Sequence, residues 1–402
     1  MAPAEIISGL RTDMERKLAM LPDRVRLWTS EYSQKNSIPR NMVLTGQRGA
    51  GKTTFLLFHA RLTGEKILYF SADSPSLAGE SLYNIAAEAF MQGYGGVIID
   101  EVHFARDWSK CLKSLYDDFP DRKVWASDSS ALILRSGTAD LSRRYVFVRM
   151  PLMSFREFLF LETGDVYAPT DPFTRDAAGL PVTPDARLLG LFEQYKQHGT
   201  RPFYKEGNYE ERSLALLDKT LNSDVPFFVP GITADNLRLM SAVIGTLSAA
   251  SIPRLQVRSL CADWGVSADK LYQLLEVMDA VGAVRIIRFQ NDTKAKSAGA
   301  KLFLADSCLY SVLRGNEGTQ RESFVAALLA DVGFTVSACR DETEGDFVVT
   351  KSAGGFAPVA PPLKIEVGGR NKPLKKSDWV IRDKADYPAD KVIPLWMLAM
   401  SW

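Results

Sequence analysis

Residues 46–53 read GQRGAGKT, and their types suit one task, the wrapping of an anion. Gly46, Gly49 and Gly51 let the backbone turn tightly enough for successive N–H groups to face a phosphate, and a helix opening behind them adds its positive end. Lys52 supplies an ammonium for the outer phosphates, and Thr53 a hydroxyl that can ligate a divalent cation. Gln47, Arg48, Ala50 and Thr54 complete the lining of such a loop. The spacing GxxxxGK[ST] is demanding, and its context is the required one. An apolar strand, NMVLT, precedes it and the helical stretch TTFLLFHARL follows.

A second string, VIIDE at 97–101, is an apolar strand ending in two carboxylates. Asp100 is expected to hold Mg²⁺, and Glu101 to polarise the attacking water as a general base. ATP and Mg²⁺ are therefore the expected ligands, with Thr53 and Asp100 on the metal. The next apolar strand runs into Ser127, Asp128, Ser129 and Ser130, any of which can contact a γ-phosphate or its water. Charge developing in the transition state also asks for a cation. Arg143 and Arg144 stand ahead of a fifth strand and can serve their own site or a neighbouring subunit's. His103 makes the local string DEVH, as in RNA helicases. No second set of nucleotide-site strands follows and no QxxGRxxR string, so His103 reads as a switch-type or helix-capping residue.

The elements that must position these residues follow a βαβ rhythm. Apolar runs at 41–45, 66–70, 96–100, 123–127 and 145–150 are separated by helix-length segments. That is the pattern of an α/β doubly wound parallel sheet, a P-loop NTPase core. A strand between the two motifs, with a glutamate beside the metal aspartate, points to the additional-strand, catalytic-glutamate branch of P-loop ATPases. Residues 8–35 read as helical ahead of it. Residues 163–185, rich in Pro, Gly, Asp and Thr, read as a linker. Helices near 187–197 and 210–221 read as a small helical lid. From 234 to 306 the order is helix, turn, helix and hairpin, which is that of a winged helix. A last segment mixes a helix at 322–331 with strands at 334–338, 346–350, 363–367 and 392–397. The expected domains are thus an ATPase core at 1–160, linker and lid at 161–233, a winged helix at 234–306, and a small α/β domain at 307–402.

At 402 residues more than one domain is expected, and a net charge of +1 neither favours nor excludes a nucleic-acid partner. The cysteines Cys111, Cys261, Cys308 and Cys339 form no CxxC pair, so neither a zinc knuckle nor a disulfide framework is expected. The first residues lack a long apolar core, and no uncharged apolar stretch has membrane-spanning length. A cytoplasmic protein with no membrane partner is the expectation.

On these strings the chain resembles the prokaryotic AAA+-type ATPases that carry a C-terminal restriction-endonuclease-like region. IIDEVHFARDWSKCLKSLYDD at 98–118, KVWASDSSALIL and PLMSFREFLF at 151–160 carry the likeness together with the glycine-rich loop. It is strong over residues 41–160 and looser to the end. Trp108, Ser154, Phe155 and Glu157 belong to the family look and read as packing and capping residues. Asp128 departs from it, standing where the family usually has glycine, as does the string LSRR ending at Arg144, where a Gly-Arg pair is typical. The resemblance implies ATPase chemistry, with Arg144 the better candidate for the catalytic arginine.

It also implies a nuclease-like domain in which Glu322, Asp346 and Glu366 would surround Mg²⁺ beside a lysine. The lysine position is Gly368. Lys364, Lys372, Lys375 and Lys376 are the candidate replacements, and the domain reads more simply as degenerate. In the winged helix, the helix at 268–281 carries Asp269, Glu276 and Asp279, which suits a phosphate-lined groove poorly. Arg285, Arg288, Lys294, Lys296 and Lys301 of the wing suit non-specific contact with DNA phosphates. The leading expectation is an ATP-driven switch or remodeller acting on an unknown protein partner, with oligomerisation left open. The alternatives are an ATP-gated DNA nuclease and a non-enzymatic DNA-binding regulator with structural ATP.

Overall fold

The computed structural model describes residues 3–77, 79–105, 107–129, 140–171, 173, 182–229, 231–254, 257–290, 292, 299–353, 357–358 and 361–402. The chain forms two compact units, 1–152 and 153–402.

The first unit contains α1 (Pro3–Ala19), α2 (Leu27–Lys35), β1 (Asn41–Thr45), α3 (Lys52–Thr63), β2 (Ile67–Ser71), α4 (Leu82–Met91), β3 (Gly96–Asp100), α5 (Trp108–Asp118), β4 (Lys123–Asp128) and β5 (Val146–Arg149). Its strands form one parallel sheet in the order β2-β3-β4-β1-β5. β1 and β3 are buried along their whole length, as expected of strands covered on both faces. Val43, Leu68, Val97, Ile99 and Val124 face one side, packing against Ile85, Ala89, Leu112 and Leu115. Met42, Leu44, Ile98 and Trp125 face the other, against Phe55, Leu56 and Ala60. Each such aliphatic side chain contributes about 1.5–3 kcal/mol relative to exposure. The helical stretch expected at 8–35 is two helices, because Pro22 cannot continue the first. The strand standing between β1 and β3 is β4, so the additional strand in space is the one that follows the carboxylate pair in sequence.

The second unit opens with α6 (Phe155–Thr163), whose start is a capping box. The Ser154 hydroxyl accepts from Glu157 N, and the Glu157 carboxylate accepts from Ser154 N at 2.9 Å. It continues with α7 (Ala186–His198), α8 (Tyr209–Lys219), α9 (Val225–Phe228), α10 (Ala234–Ala249), α11 (Val257–Trp264), α12 (Ala268–Ala280), β6 (Val284–Ile287) and β7 (Lys301–Leu304). Then come α13 (Cys308–Val312), α14 (Glu317–Asp331), β8 (Phe334–Ala338), β9 (Phe347–Ala353), β10 (Ala357–Pro358), β11 (Leu363–Gly368), β12 (Trp379–Arg382), β13 (Val392–Pro394) and α15 (Leu395–Leu398). β6 and β7 form an antiparallel hairpin, and β8 to β13 form a mixed sheet in which β8 and β11 flank β9.

An apolar core joins α6, α7, α14 and the mixed sheet of this unit. Phe155 and Phe158 of α6 and Phe192 and Tyr195 of α7 are buried in it with Phe324, Ile365, Ile381 and Trp396. Residues 155–160 therefore pack in the second unit, although the sequence places them with the ATPase core. α7, expected in a lid, gives its apolar face to the same core. Two further expectations change, and one strand was not expected. Glu322 lies inside α14, which begins at Glu317 and is capped by Asn316. The strand expected at 392–397 stops at Pro394 and turns into α15, and β12 carried too short an apolar run to be read. No helix among the described residues is long and apolar enough to cross a membrane.

Candidate nucleotide site

The strand order of the first unit brings the ends of β1, β3 and β4 side by side, which is where a parallel α/β sheet presents a ligand. The loop leaves β1 at Gly46. A Cβ there would stand 2.5 Å from the Met150 carbonyl oxygen, so only glycine passes this point. Gly51 holds φ +102° immediately ahead of α3, a conformation that other residues adopt only with strain. Arg26 braces the loop: its Nη1 donates to the carbonyls of Ala50 at 2.7 Å and Pro151 at 2.9 Å, with the side chain buried.

Within the loop, Lys52 Nζ donates to the Gly46 carbonyl at 2.8 Å and the Gln47 carbonyl at 3.3 Å. Burial draws its ammonium below the ordinary lysine range, while Glu101, Asp100 and Asp128 oppose that shift. Thr53 Oγ1 donates to Asp100 Oδ2 at 2.6 Å, and the Tyr69 hydroxyl donates to the same oxygen at 2.9 Å. Ser127 Oγ donates to Asp100 Oδ1. Asp100 is thus fixed from α3, β2 and β4 at once. A threonine hydroxyl beside a carboxylate is a pair of hard oxygens, the donor type that Mg²⁺ takes, so the residues present fit the cation expected.

Glu101 is held at φ +49°, in the left-handed region that a glutamate seldom occupies. Arg48 Nη1 lies 3.2 Å from its Oε1, and Ser129 Oγ donates to its Oε2 at 2.8 Å. Burial raises the Glu101 pKa, and Lys52 and Arg48 pull it back. Behind it, the backbone N of His103 donates to Asp128 Oδ2 at 3.1 Å, and His103 Nδ1 lies 2.7 Å from the same oxygen. A carboxylate only accepts, so Nδ1 carries the proton. Both residues are fully buried, and ligand atoms of Glu101, His103 and Asp128 all lie within 4.8 Å of one another.

The loop 46–54, Thr53, Asp100 and Glu101 are therefore together. Ser127 and Ser129 contact the carboxylate pair, while Ser130 lies outside the described residues. Arg144 is not with them. β5 begins with Val146 level with Met42, whereas the loop leaves from Thr45, level with Arg149. Arg144 therefore precedes the strand at the opposite edge of the sheet, where it forks onto Asp117 at 2.9 and 3.1 Å. It takes no part in the site of its own chain. Arg143, beside it, is exposed.

Nothing in the sequence pointed to Arg26 or to the Arg48–Glu101 pair. Asp128 did carry a signal, its departure from the expected glycine, and the buried His103 accounts for it.

The family described as an AAA domain matches residues 39–159. The uncharacterized protein MJ1637 of Methanocaldococcus jannaschii is 38% identical over 133 residues, which are 30% of this chain and 28% of that protein. The match thus spans under a third of the length of that relative. Among solved structures, a Walker-type ATPase of Pyrococcus abyssi is 16% identical, with 71% of this chain and 93% of that one covered at a TM-score of 0.40. A variant of RuvB from Thermotoga maritima is 16% identical, with 69% and 89% covered at 0.34. Both superpositions are loose. The matched segment, with its parallel sheet and phosphate loop, is an AAA-type P-loop domain, a nucleotide-binding ATPase fold.

Proposed function

We propose that this chain hydrolyses ATP with Mg²⁺ and uses the cycle to switch or remodel a partner. The observation that carries this reading is the meeting of Thr53 and Asp100 at 2.6 Å with Glu101 one residue further on. Thr53 and Asp100 would hold Mg²⁺, which when bound supplies positive charge to the phosphates of ATP. Lys52 exchanges the carbonyls of Gly46 and Gln47 for the outer phosphates. Glu101 orients a water and takes its proton on the carboxylate, with Arg48 beside one oxygen and Ser129 on the other. Asp128 keeps His103 in one tautomer and orientation against Glu101.

The order of α10, α11, α12 and the β6–β7 hairpin supports a winged-helix reading, and α14 with the sheet β8–β13 a restriction-endonuclease-like one. The wing offers DNA less charge than its composition suggests. Arg288 pairs with Glu276 and Lys301 is buried in ion pairs, which engages two of the wing's cations; Lys294 and Lys296, outside the described residues, do not bear on this. The engagement of Arg288 and Lys301 favours a protein partner.

ATP turnover by the purified full chain, measured with and without DNA, tests the reading. Glu101→Gln is expected to abolish turnover while nucleotide still binds, and Lys52→Ala to weaken binding. Unchanged turnover in the Glu101 variant would remove the general base. Tight DNA binding with no turnover in the wild type would favour the regulator with structural ATP.

A further inference from the structure

The second unit gathers three carboxylates at the place where a nuclease of the implied fold would hold its divalent cation. Glu322 comes from the middle of α14, Asp346 from just ahead of β9, and Glu366 from β11. β9 and β11 are antiparallel with Phe347 opposite Ile365, so continuing that register by one residue sets Asp346 opposite Glu366. The residues present do not fit a divalent ion. Each carboxylate already faces an ammonium group of this chain.

Lys301, the first residue of β7, is 3% exposed. Its Nζ donates to Glu322 Oε2 at 2.6 Å and to Asp346 Oδ1 at 3.0 Å, and lies 4.9 Å from the centre of the Phe347 ring. The other Asp346 oxygen accepts from Val367 N at 2.9 Å. Glu366 is fully buried, with Lys372 Nζ 2.7 Å and Lys375 Nζ 2.9 Å from its Oε1. The geometry also explains Gly368. A Cβ there would stand 2.5 Å from Lys372 Cδ and 2.6 Å from its Cβ, so the missing side chain is what lets the Lys372 stem cross the strand to reach Glu366. Three carboxylates thus meet three ammonium groups. A divalent cation on Glu322 and Asp346 would have to displace Lys301, whose side chain is 4% exposed, so that its charge would be buried without a partner.

We propose that Lys301 is a resident cation standing in for the metal, and that the cluster is a metal-free clamp between the hairpin and the nuclease-like module. The backbone supports a clamp at the same place. Ala338 N, at the end of β8, donates to the Arg288 carbonyl at 2.8 Å, and Phe289 bridges to Ala338. The hairpin is therefore tied to the mixed sheet by main chain on one side and by Lys301 on the other. This inference is independent of the ATPase reading, since every group in it belongs to the second unit.

The test is metal rescue in the full chain, with all proteins carrying Asp100→Asn so that the phosphate loop contributes no cation site. Thermal unfolding is followed with and without Mn²⁺, and cleavage of single-stranded and plasmid DNA is assayed alongside. The reference protein is expected to show no Mn²⁺-dependent shift in Tm and no cleavage. Lys301→Met, which keeps the stem but removes the charge, is expected to lower Tm and to regain roughly 3 °C or more on adding Mn²⁺, because the freed carboxylates then hold it. Lys301→Met with Glu322→Gln rebalances the charge, so it is expected to recover much of the lost Tm and to ignore Mn²⁺. This double variant decides the matter if the single one does not fold. A Mn²⁺-dependent Tm shift or DNA cleavage in the reference protein that Asp346→Asn removes would overturn the proposal. So would a folded Lys301→Met protein indifferent to Mn²⁺, or a double variant no more stable than the single.

Discussion

Arg48 of the phosphate loop and Glu101 at the end of the third strand form an ion pair of 3.2 Å whose side chains are only 9% and 15% exposed. The pair joins the residue that would feel phosphate to the residue that would activate water. Burial raises the Glu101 pKa, and Lys52 and Arg48 restrain that rise. Arg48→Met leaves burial less opposed, so the pKa climbs further. The base works only when ionised, and turnover is lost as pH falls through its pKa. The acid limb of kcat in Arg48→Met is therefore expected at higher pH than in the wild type, with the rate recovering on the alkaline side. Each unit of displacement corresponds to about 1.4 kcal/mol of lost interaction with the carboxylate. Steady-state turnover across about pH 5–9 reads it, and an unmoved limb would show that the pair does not tune the base.

Asp128 and His103 make a second buried relationship, one that a hydrolytic site needs only if Glu101 must be held from behind. Asp128→Ala strips a carboxylate from two donors, the backbone N and Nδ1 of His103. Stranding buried donors costs about 1–3 kcal/mol each. Asp128→Asn keeps an acceptor and is expected to cost less. Urea unfolding of the two variants should rank them in that order, with kcat falling alongside in the alanine protein. Equal midpoints for wild type and Asp128→Ala would mean that the pair contributes nothing to the fold.

The part of this site that could be read from sequence is the part written in consecutive residues. A glycine-rich turn, its lysine and threonine, and an apolar strand ending in two carboxylates are each local, so 46–54 and 97–101 needed no fold to be seen. The parallel sheet was legible for the same reason, since each of its strands is a short apolar run. Arg48–Glu101 and His103–Asp128 join residues 53 and 25 positions apart, and only the strand order β3-β4-β1 brings them together. Arg144 failed in the opposite way. Its proximity to β5 in sequence suggested the site, but a parallel strand has two ends and Arg144 precedes the wrong one. Lys301 was read as a wing cation because charge is visible in sequence and burial is not.

Arg144 can reach a nucleotide only if that nucleotide belongs to another copy of the chain. Its bidentate contact with Asp117 lies at the sheet edge away from Glu101, so Arg144→Ala should leave turnover per chain unchanged in dilute solution. A loss that appears only at concentrations where copies associate would place the arginine in a neighbour's site, the geometry of a head-to-tail assembly. Turnover measured over a range of protein concentrations, with mass determined at each, separates the two outcomes. A defect already present in the monomer would contradict the placement.

Arg26 gives the last expectation, because it holds the phosphate loop without lining it. A single nitrogen donates to the carbonyls of Ala50 and Pro151, which belong to the loop and to the turn after β5. Arg26→Ala leaves both carbonyls without this donor and opens space under the loop. A stability loss of about 1–3 kcal/mol is expected. Preorganisation is lost with it, so the loop must be ordered by the nucleotide and affinity falls. Arg26→Lys keeps a charged donor on a different stem and should recover part of both. Nucleotide titration and urea unfolding on the same preparations test the coupling. If stability falls while affinity holds, Arg26 supports the fold of the first unit and not the shape of its loop.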